Sequence, residues 1–305
     1  MPTLAAFFPR YMEGYCKANR HRAATIDQKE GNAKNHLLPV LGRKRLDRIT
    51  AEDIQRLKAA LGDCSPATVN TVIKLLKAIL HVAVEWKVIT EMPTKVKKVK
   101  ESLADPAFYD FGDYARLVAV AEKLDPRIHL LVLLGGDAGL RRGEIIALEW
   151  SDIDLAHGRL TVARSEYRRN GTSTKGHRSR TIPISEDLKR ALEKHRIGGP
   201  RILYSRGKNT PVESTIRGWL AKAQKEAGFA VKGPHILRHT FCSHLAMAGA
   251  PARAIQKLAG HQSVVTTELY MSLSPVAIEE SMRLLNRRPA WRNDGDGDGP
   301  PLNIQ

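Results

Sequence analysis

His235-Ile-Leu-Arg238-His239-Thr240, then Gly260-His261, then Leu269-Tyr270-Met271: histidines, an arginine and a tyrosine recur here at spacings that suit helices converging on one small anionic group. Gly233-Pro234 precedes the run as a helix-start signal, which places His235 and Arg238 in a first turn, three apart and on one face. A helix N-terminus already favours anions through its free backbone N–H groups, and an arginine fork beside an imidazole makes it a phosphate cradle. His239 points elsewhere in this reading, into the core. His261 follows a glycine after a helix from Arg253 to Ala259, at a helix end or loop, where a lone histidine is more often structural than functional. Tyr270, nine residues on, sits in the next short helix and by itself reads as a core residue with its hydroxyl satisfied.

Gly139-Leu-Arg141-Arg142-Gly143-Glu144 supplies a second arginine at another helix start. Sequence alone nominates either Arg141 or Arg142, and a surface salt bridge is the default for one arginine in isolation. Glu144 lies three residues beyond Arg141, spaced to hold its guanidinium in place.

Composition supplies the anion. Lys+Arg 49 against Asp+Glu 32 gives the 305-residue chain a formal net charge of +17. A polyanion is therefore the leading partner class, because each neutralised phosphate releases condensed counterions. The three cysteines, Cys16, Cys64 and Cys242, form neither a disulfide framework nor a CxxC metal pair, which fits a reducing cytoplasm. The N-terminal MPTLAAFFPRYMEGY lacks a basic n-region and does not read as a signal peptide. The longest apolar run, Leu130 to Leu134, is far too short to span a bilayer.

Outward from the opening stretch, the chain is long enough for two domains. The first hundred residues read as helices. Ser65-Pro66 opens the clearest one, with Val69, Val72, Ile73, Leu76, Leu80, Ala83 and Val84 as its buried stripe and Lys74 and Lys77 off it. Thr50-Ala-Glu-Asp53 reads as another helix start, and Leu38-Pro39-Val-Leu-Gly42 as a turn between helices. Lys95-Val-Lys-Lys-Val-Lys100, after Met92-Pro93, has the look of a linker whose lysines either are solvated or track a nucleic-acid backbone. Beyond it, Arg127 to Leu134 is an apolar helix ended by Gly135-Gly136, and Arg142 to Leu148 begins the next. Trp150 to Ile153, Arg159 to Val162 and Arg180 to Ile184 alternate as strands, with His157-Gly158 joining the first two and Asn170-Gly171 in the loop between the last two. From Thr210 to about Arg287 the pattern is helical again. The Gly-, Pro- and Asp-rich tail from Asn293 matches only half of an EF-hand loop, lacks its closing glutamate and reads as a solvated acidic tail.

This joint pattern resembles the tyrosine recombinase (phage integrase-like) family of site-specific DNA recombinases. The resemblance is carried by Gly139-Leu-Arg141-Arg-Gly-Glu144, Thr174-Lys175 between two strands, His235-Ile-Leu-Arg238-His239, Gly260-His261-Gln-Ser and Thr267-Glu-Leu-Tyr270, in order across about 106–285. Ala259 stands where the family often has leucine, and Ala138 where threonine is common; both touch packing rather than chemistry. The resemblance implies a mainly α chain: an all-α core-binding domain over 1–100, a linker over 101–107, and over 108–289 an α+β, mostly helical catalytic domain with a small antiparallel sheet. An acidic, disordered tail follows at 290–305. No additional arm-type N-terminal domain is expected.

It further implies that Tyr270 is the nucleophile, forming a 3′-phosphotyrosyl bond and freeing a 5′-hydroxyl without ATP. Arg141 and Arg238 would stabilise the pentacoordinate transition state, His235 would assist proton transfer at the tyrosine, and His261 would bond a non-bridging oxygen. Lys175, in the loop Asn170 to Gly176, would protonate the leaving 5′-oxygen, and Glu144 would support the first arginine. No cofactor and no metal are expected. The implied partner is duplex DNA with inverted half-sites, gripped by a C-shaped clamp. A homo-tetramer would form in the synapse from free monomers or dimers, with accessory DNA-bending proteins possible and no membrane. The segment Ser274 to Leu285 reads as an amphipathic helix that packs on a neighbouring subunit or on its own domain. The expected location is the cytoplasm, on the nucleoid.

Integration or excision of a phage or mobile element is the leading task, since Tyr270-Met-Ser-Leu-Ser-Pro275 looks more like mobile-element integrases. Xer-like replicon-dimer resolution, a type IB topoisomerase, a regulator that binds without cutting and a metal-dependent DNA hydrolase are the alternatives. His235, His239, Cys242 and His244 prompt the last, but Ile236 stands where an HExxH glutamate would be. Gly135-Gly136 is not followed by a GK[ST] phosphate loop, which removes NTP-dependent enzymes.

Overall fold

The computed structural model describes residues 1–101, 106–167, 170–173, 179–195, 199–205 and 210–271. Lys175, the segment Ser274 to Leu285 and the acidic tail lie outside them. The chain separates into two compact units, Met1–Ala104 and Asp105–Gln305.

The N-terminal unit is helical. Helix α1 (Leu4–Arg10) starts where the Thr3 hydroxyl accepts the Ala6 N–H, and it runs on through the wider-wound turns of Tyr11–Lys17. Helix α2 (Ala23–Asn32) continues likewise through Ala33–Leu37 and directly into α3 (Leu38–Leu41). The Leu38–Gly42 stretch is thus helical, not the expected turn. Pro39 follows the wider-wound turn of Ala33–Leu37, and its fixed φ suits a helix. Helix α4 (Ala51–Ala60) begins with a reciprocal box between Thr50 and Asp53.

Helix α5 (Pro66–Glu85) opens on the Ser65 cap and carries the core. Every member of its expected stripe is buried except Val84, which is half-buried; Leu75, Ile79 and Val82 widen it, and Lys74 and Lys77 are exposed. Each fully buried aliphatic side chain there contributes about 1.5–3 kcal/mol. By length and composition α5 could cross a membrane, but that apolar surface packs against Leu4, Phe7, Leu37, Leu41 and Leu57. The basic run after it is no free connector. Buried Asn70 of α5 donates to the Val99 carbonyl at 2.9 Å and accepts from the Val99 N–H at 2.8 Å, while Lys95, Lys97, Lys98 and Lys100 stay exposed.

The C-terminal unit is mostly helical with a small antiparallel sheet. Helices α6 (Phe111–Leu124) and α7 (Pro126–Gly136) start on the aspartate caps Asp110 and Asp125. Helix α7 is the buried axle, packed against α6, α9 (Glu186–Lys194), α10 (Glu213–Glu226) and α11 (His235–Met247). Gly135 and Gly136 are the last two residues of α7, which ends there as expected. A Cβ on Gly136 would meet the Tyr114 ring of α6, so glycine there permits the helices' close approach. Helix α8 (Arg142–Ala147) follows.

Strands β1 (Ile153–Asp154), β2 (Arg159–Val162) and β5 (Arg180–Pro183) form the sheet in the order β1-β2-β5, with Leu160 opposite Ile182 in the core. Trp150–Asp152 is a single 3₁₀ turn, not a strand, because the Asp152 carboxylate accepts the Glu149 N–H and closes a local turn. Asn170 and Gly171 belong to a strand rather than to a loop. Arg164–Tyr167 (β3) pairs antiparallel with Asn170–Ser173 (β4) and satisfies its backbone. Helices α12 (Ala252–Ala259) and α13 (Val265–Met271) close on α11.

Candidate active site

Helix α11 supplies one wall. His235, Arg238, His239 and Cys242 follow at spacings of three, four and seven, so all share one face. Arg238 is 2% exposed. Its Nη1 donates to the Gly139 carbonyl at 2.6 Å, while Nη2 is buried with no hydrogen-bond partner among the described residues. Burial, and then the neighbouring Arg141, push its pKa down to about 10, so it stays charged at neutral pH. Gly139 presents that carbonyl at φ +62°, and a Cβ there would meet the Phe241 ring at 2.3 Å.

The α8 start supplies the second arginine. Arg141 donates through Nη1 to Glu144 Oε1 at 2.9 Å and through Nη2 to the Gly260 carbonyl at 2.7 Å, with its side chain 30% exposed. Arg142 turns away and pairs with Glu213 instead. Glu144 is buried and also accepts the Arg141 N–H at 2.9 Å. Sequence reasoning missed Arg180 of β5. It grips Glu144 at 2.7 and 3.1 Å and donates to the Leu258 carbonyl at 2.9 Å, tying β5, α8 and the end of α12 together. Burial raises the Glu144 pKa, but Arg180 and Arg141 outweigh it and hold the carboxyl below its usual value. Arg180→Ala leaves that carboxylate half-paired inside the protein and is expected to cost about 3–5 kcal/mol, read from urea unfolding. A loss within experimental error of zero would remove Arg180 from this role.

His261 follows the end of α12, its Nδ1 2.9 Å from Thr267 Oγ1 and its ring parallel to Tyr270 at 6.1 Å. Tyr270, on α13, is 3% exposed, and its hydroxyl lies 2.5 Å from His239 Nδ1. His239 therefore faces the tyrosine and does not point away from the site, contrary to expectation: a residue four further along a helix shares the face of the first. The structure brings Arg141, Glu144, His235, Arg238, His261 and Tyr270 into one unit around that spot, whereas Lys175 lies outside the described residues.

The histidines report a positive field. Desolvation by the surrounding protein first, then His239, Arg238 and Arg141, push His235 down to about 4 although its side chain keeps an exposed edge; desolvation, then Arg238 and Arg141, push half-buried His261 down to about 3. Both are neutral at pH 7. A depressed folded pKa stabilises the fold fully above the unfolded value of 6.5 and loses that contribution as pH falls toward the folded value. The free protein should lose stability between about pH 6.5 and 4, and His261→Gln should flatten that slope in thermal melts. An unchanged slope would contradict the assignment. The described residues contain no cluster suited to a metal ion.

Comparison with known proteins identifies the family and the fold. The phage integrase family model matches residues 108–275, and a phage integrase N-terminal SAM-like domain matches residues 3–61. Tyrosine recombinase XerA of Pyrococcus furiosus is 31% identical over 246 residues, spanning 78% of this chain and 81% of that protein. XerA of Pyrococcus horikoshii is 28% identical over 76% of this chain and 79% of its own. Among solved structures, the Tn1549 transposon integrase in complex with a circular intermediate DNA shares the fold with a TM-score of 0.80 at 18% identity, covering 94% of this chain and 100% of that one. A lambda integrase dimer bound to a COC′ core site gives 0.71 at 20% identity, covering 87% and 97%. The family model spans more than half of the chain, and the chain belongs to the phage integrase family of tyrosine recombinases, enzymes that cleave and rejoin DNA.

Proposed function

We propose that the chain is a site-specific recombinase that breaks and reseals duplex DNA through a 3′-phosphotyrosyl intermediate at Tyr270. The observation that carries this reading is the unpartnered Nη2 of buried Arg238, in the unit that also holds the Tyr270 hydroxyl. A buried guanidinium without its anion is costly, and a scissile phosphate supplies the missing charge. Tyr270 Oη attacks phosphorus and the 5′-oxygen leaves. Arg141 and Arg238 stabilise the charge that builds on the non-bridging oxygens, with His261 donating to one of them. Glu144, held by Arg180, keeps Arg141 in place. Lys175, named from sequence, is the proposed acid for the leaving oxygen. The helical N-terminal unit is proposed to bind DNA beside the catalytic unit, with inverted half-sites bringing protomers together, in a dimer and then a tetramer.

Integration or excision of a mobile element is the proposed task, supported by the Tyr270-Met-Ser-Leu-Ser-Pro275 motif. Resolution of replicon dimers is the second reading, favoured by the relatives named XerA. The chemistry is tested by incubating the full chain with nicked duplexes in EDTA, digesting it and mapping the nucleotide-bearing peptide. An adduct on the Tyr270 peptide, unaffected by EDTA, is expected. Cleavage that needs a divalent metal and leaves no adduct would replace this reading with metal-dependent hydrolysis.

A further inference from the structure

We infer that His239, and not His235, takes the proton from the Tyr270 hydroxyl as it attacks and returns it when the strand is rejoined. This rests on Tyr270 being the nucleophile. The geometry separates the four candidates around that hydroxyl. His239 Nδ1 is 2.5 Å from Oη, within hydrogen-bonding distance. The His235 ring meets His239 edge-on at 4.8 Å and an interplanar angle of 85°, one ring further from the tyrosine. His261 lies parallel to the Tyr270 ring, presenting its face, and its Nδ1 is engaged by Thr267. The Cys242 thiol also faces Tyr270, but burial pushes its pKa up to about 11, so it remains S–H and is a far weaker acceptor than an imidazole nitrogen.

The groups around His239 favour this use. Tyr270 faces it from α13, and His235 and Arg238 from its own helix. Burial and the Arg238 charge lower the His239 pKa, which keeps the imidazole neutral, and the tautomer with its proton on Nε2 accepts at Nδ1. In the forward step the Oη–P bond forms as the P–O5′ bond breaks. The phenolic proton moves to His239 Nδ1, and the 5′-oxygen takes a separate proton from the leaving-group acid. In the reverse step the 5′-hydroxyl returns its proton to the deprotonated leaving-group acid as it attacks phosphorus, the P–Oη bond breaks, and Oη departs with the proton held on His239. The imidazolium formed in between carries its charge beside the phosphotyrosyl anion.

The test uses the full-length chain and a nicked suicide duplex obtained by covalent capture from a random-sequence pool. His239→Ala and the near-isosteric His239→Gln should each slow adduct formation by about 10²-fold or more, the usual share of a general base. Difluorotyrosine at position 270, whose phenol ionises far more readily, should recover most of that loss in both variants, which a merely structural histidine would not allow. Rates within about threefold of the parent, or a loss that fluorination leaves unchanged, would overturn the role of His239. Failure of the underlying reading looks different: the adduct would then persist in Tyr270→Phe.

Discussion

Tyr270→Phe is expected to bind DNA with the same affinity and salt dependence as the parent chain and to form no covalent adduct at any time. The substitution removes one oxygen and keeps the ring. That ring is part of the small core of Phe241, Cys242, Ala246, Ile255 and Ala259, and it lies parallel to His261. What is lost structurally is one hydrogen bond to His239, worth about 1 kcal/mol, so the fold should survive. Binding should be spared because it rests on phosphates contacted across the duplex rather than on a single hydroxyl. Chemistry should vanish because no other nucleophile among the described residues is placed to replace Oη: the nearby Cys242 is buried and held as a thiol. A denaturing gel of the trapped complex reads the result. An adduct of undiminished yield would remove Tyr270 as nucleophile and, with it, the proton path through His239.

The parts of this site legible in the sequence are those whose geometry is local. Arg141 and Glu144 lie three apart at a helix start, and so do His235 and Arg238, and short-range helix geometry places each pair on one face. The caps Thr50, Ser65 and the α5 stripe are local for the same reason. Arg180 was not legible, because its partners are Glu144, 36 residues away, and the Leu258 carbonyl, 78 residues away. Arg142 could be separated from Arg141 only by the distant Glu213. His239 was misread although its spacing from His235 also fits one face. Two adjacent residues, 238 and 239, can both border a site when it lies over the groove between them, and only the arrival of α13 shows that it does. The β3–β4 pairing, too, depends on registers that turn chemistry alone did not fix.

Arg238→Met is expected to lower adduct formation by about 10³–10⁵-fold, the effect of arginines that neutralise a transferring phosphoryl group, while leaving the free protein at least as stable as the parent. The two halves of this expectation come from the same observation. In the free protein the guanidinium is only partly compensated: Nη1 has the Gly139 carbonyl, Nη2 has no partner among the described residues, and Arg141 repels it. Methionine fills comparable volume without the desolvated charge, and buried ion sites replaced in this way are often neutral or stabilised. The one loss is the donor to Gly139, about 1–3 kcal/mol if that carbonyl finds no water, which offsets the gain. Lysine should not restore the rate. Its single ammonium cannot hold the Gly139 carbonyl and a phosphate oxygen together as a planar fork does. Steady binding, an unchanged or higher melting temperature and a collapsed cleavage rate would together identify a charge kept unpaired for the substrate. A large fall in melting temperature with proportionate loss of binding would instead make Arg238 a strut between α11 and the Gly139 turn, and the transition-state role would pass to Arg141 alone.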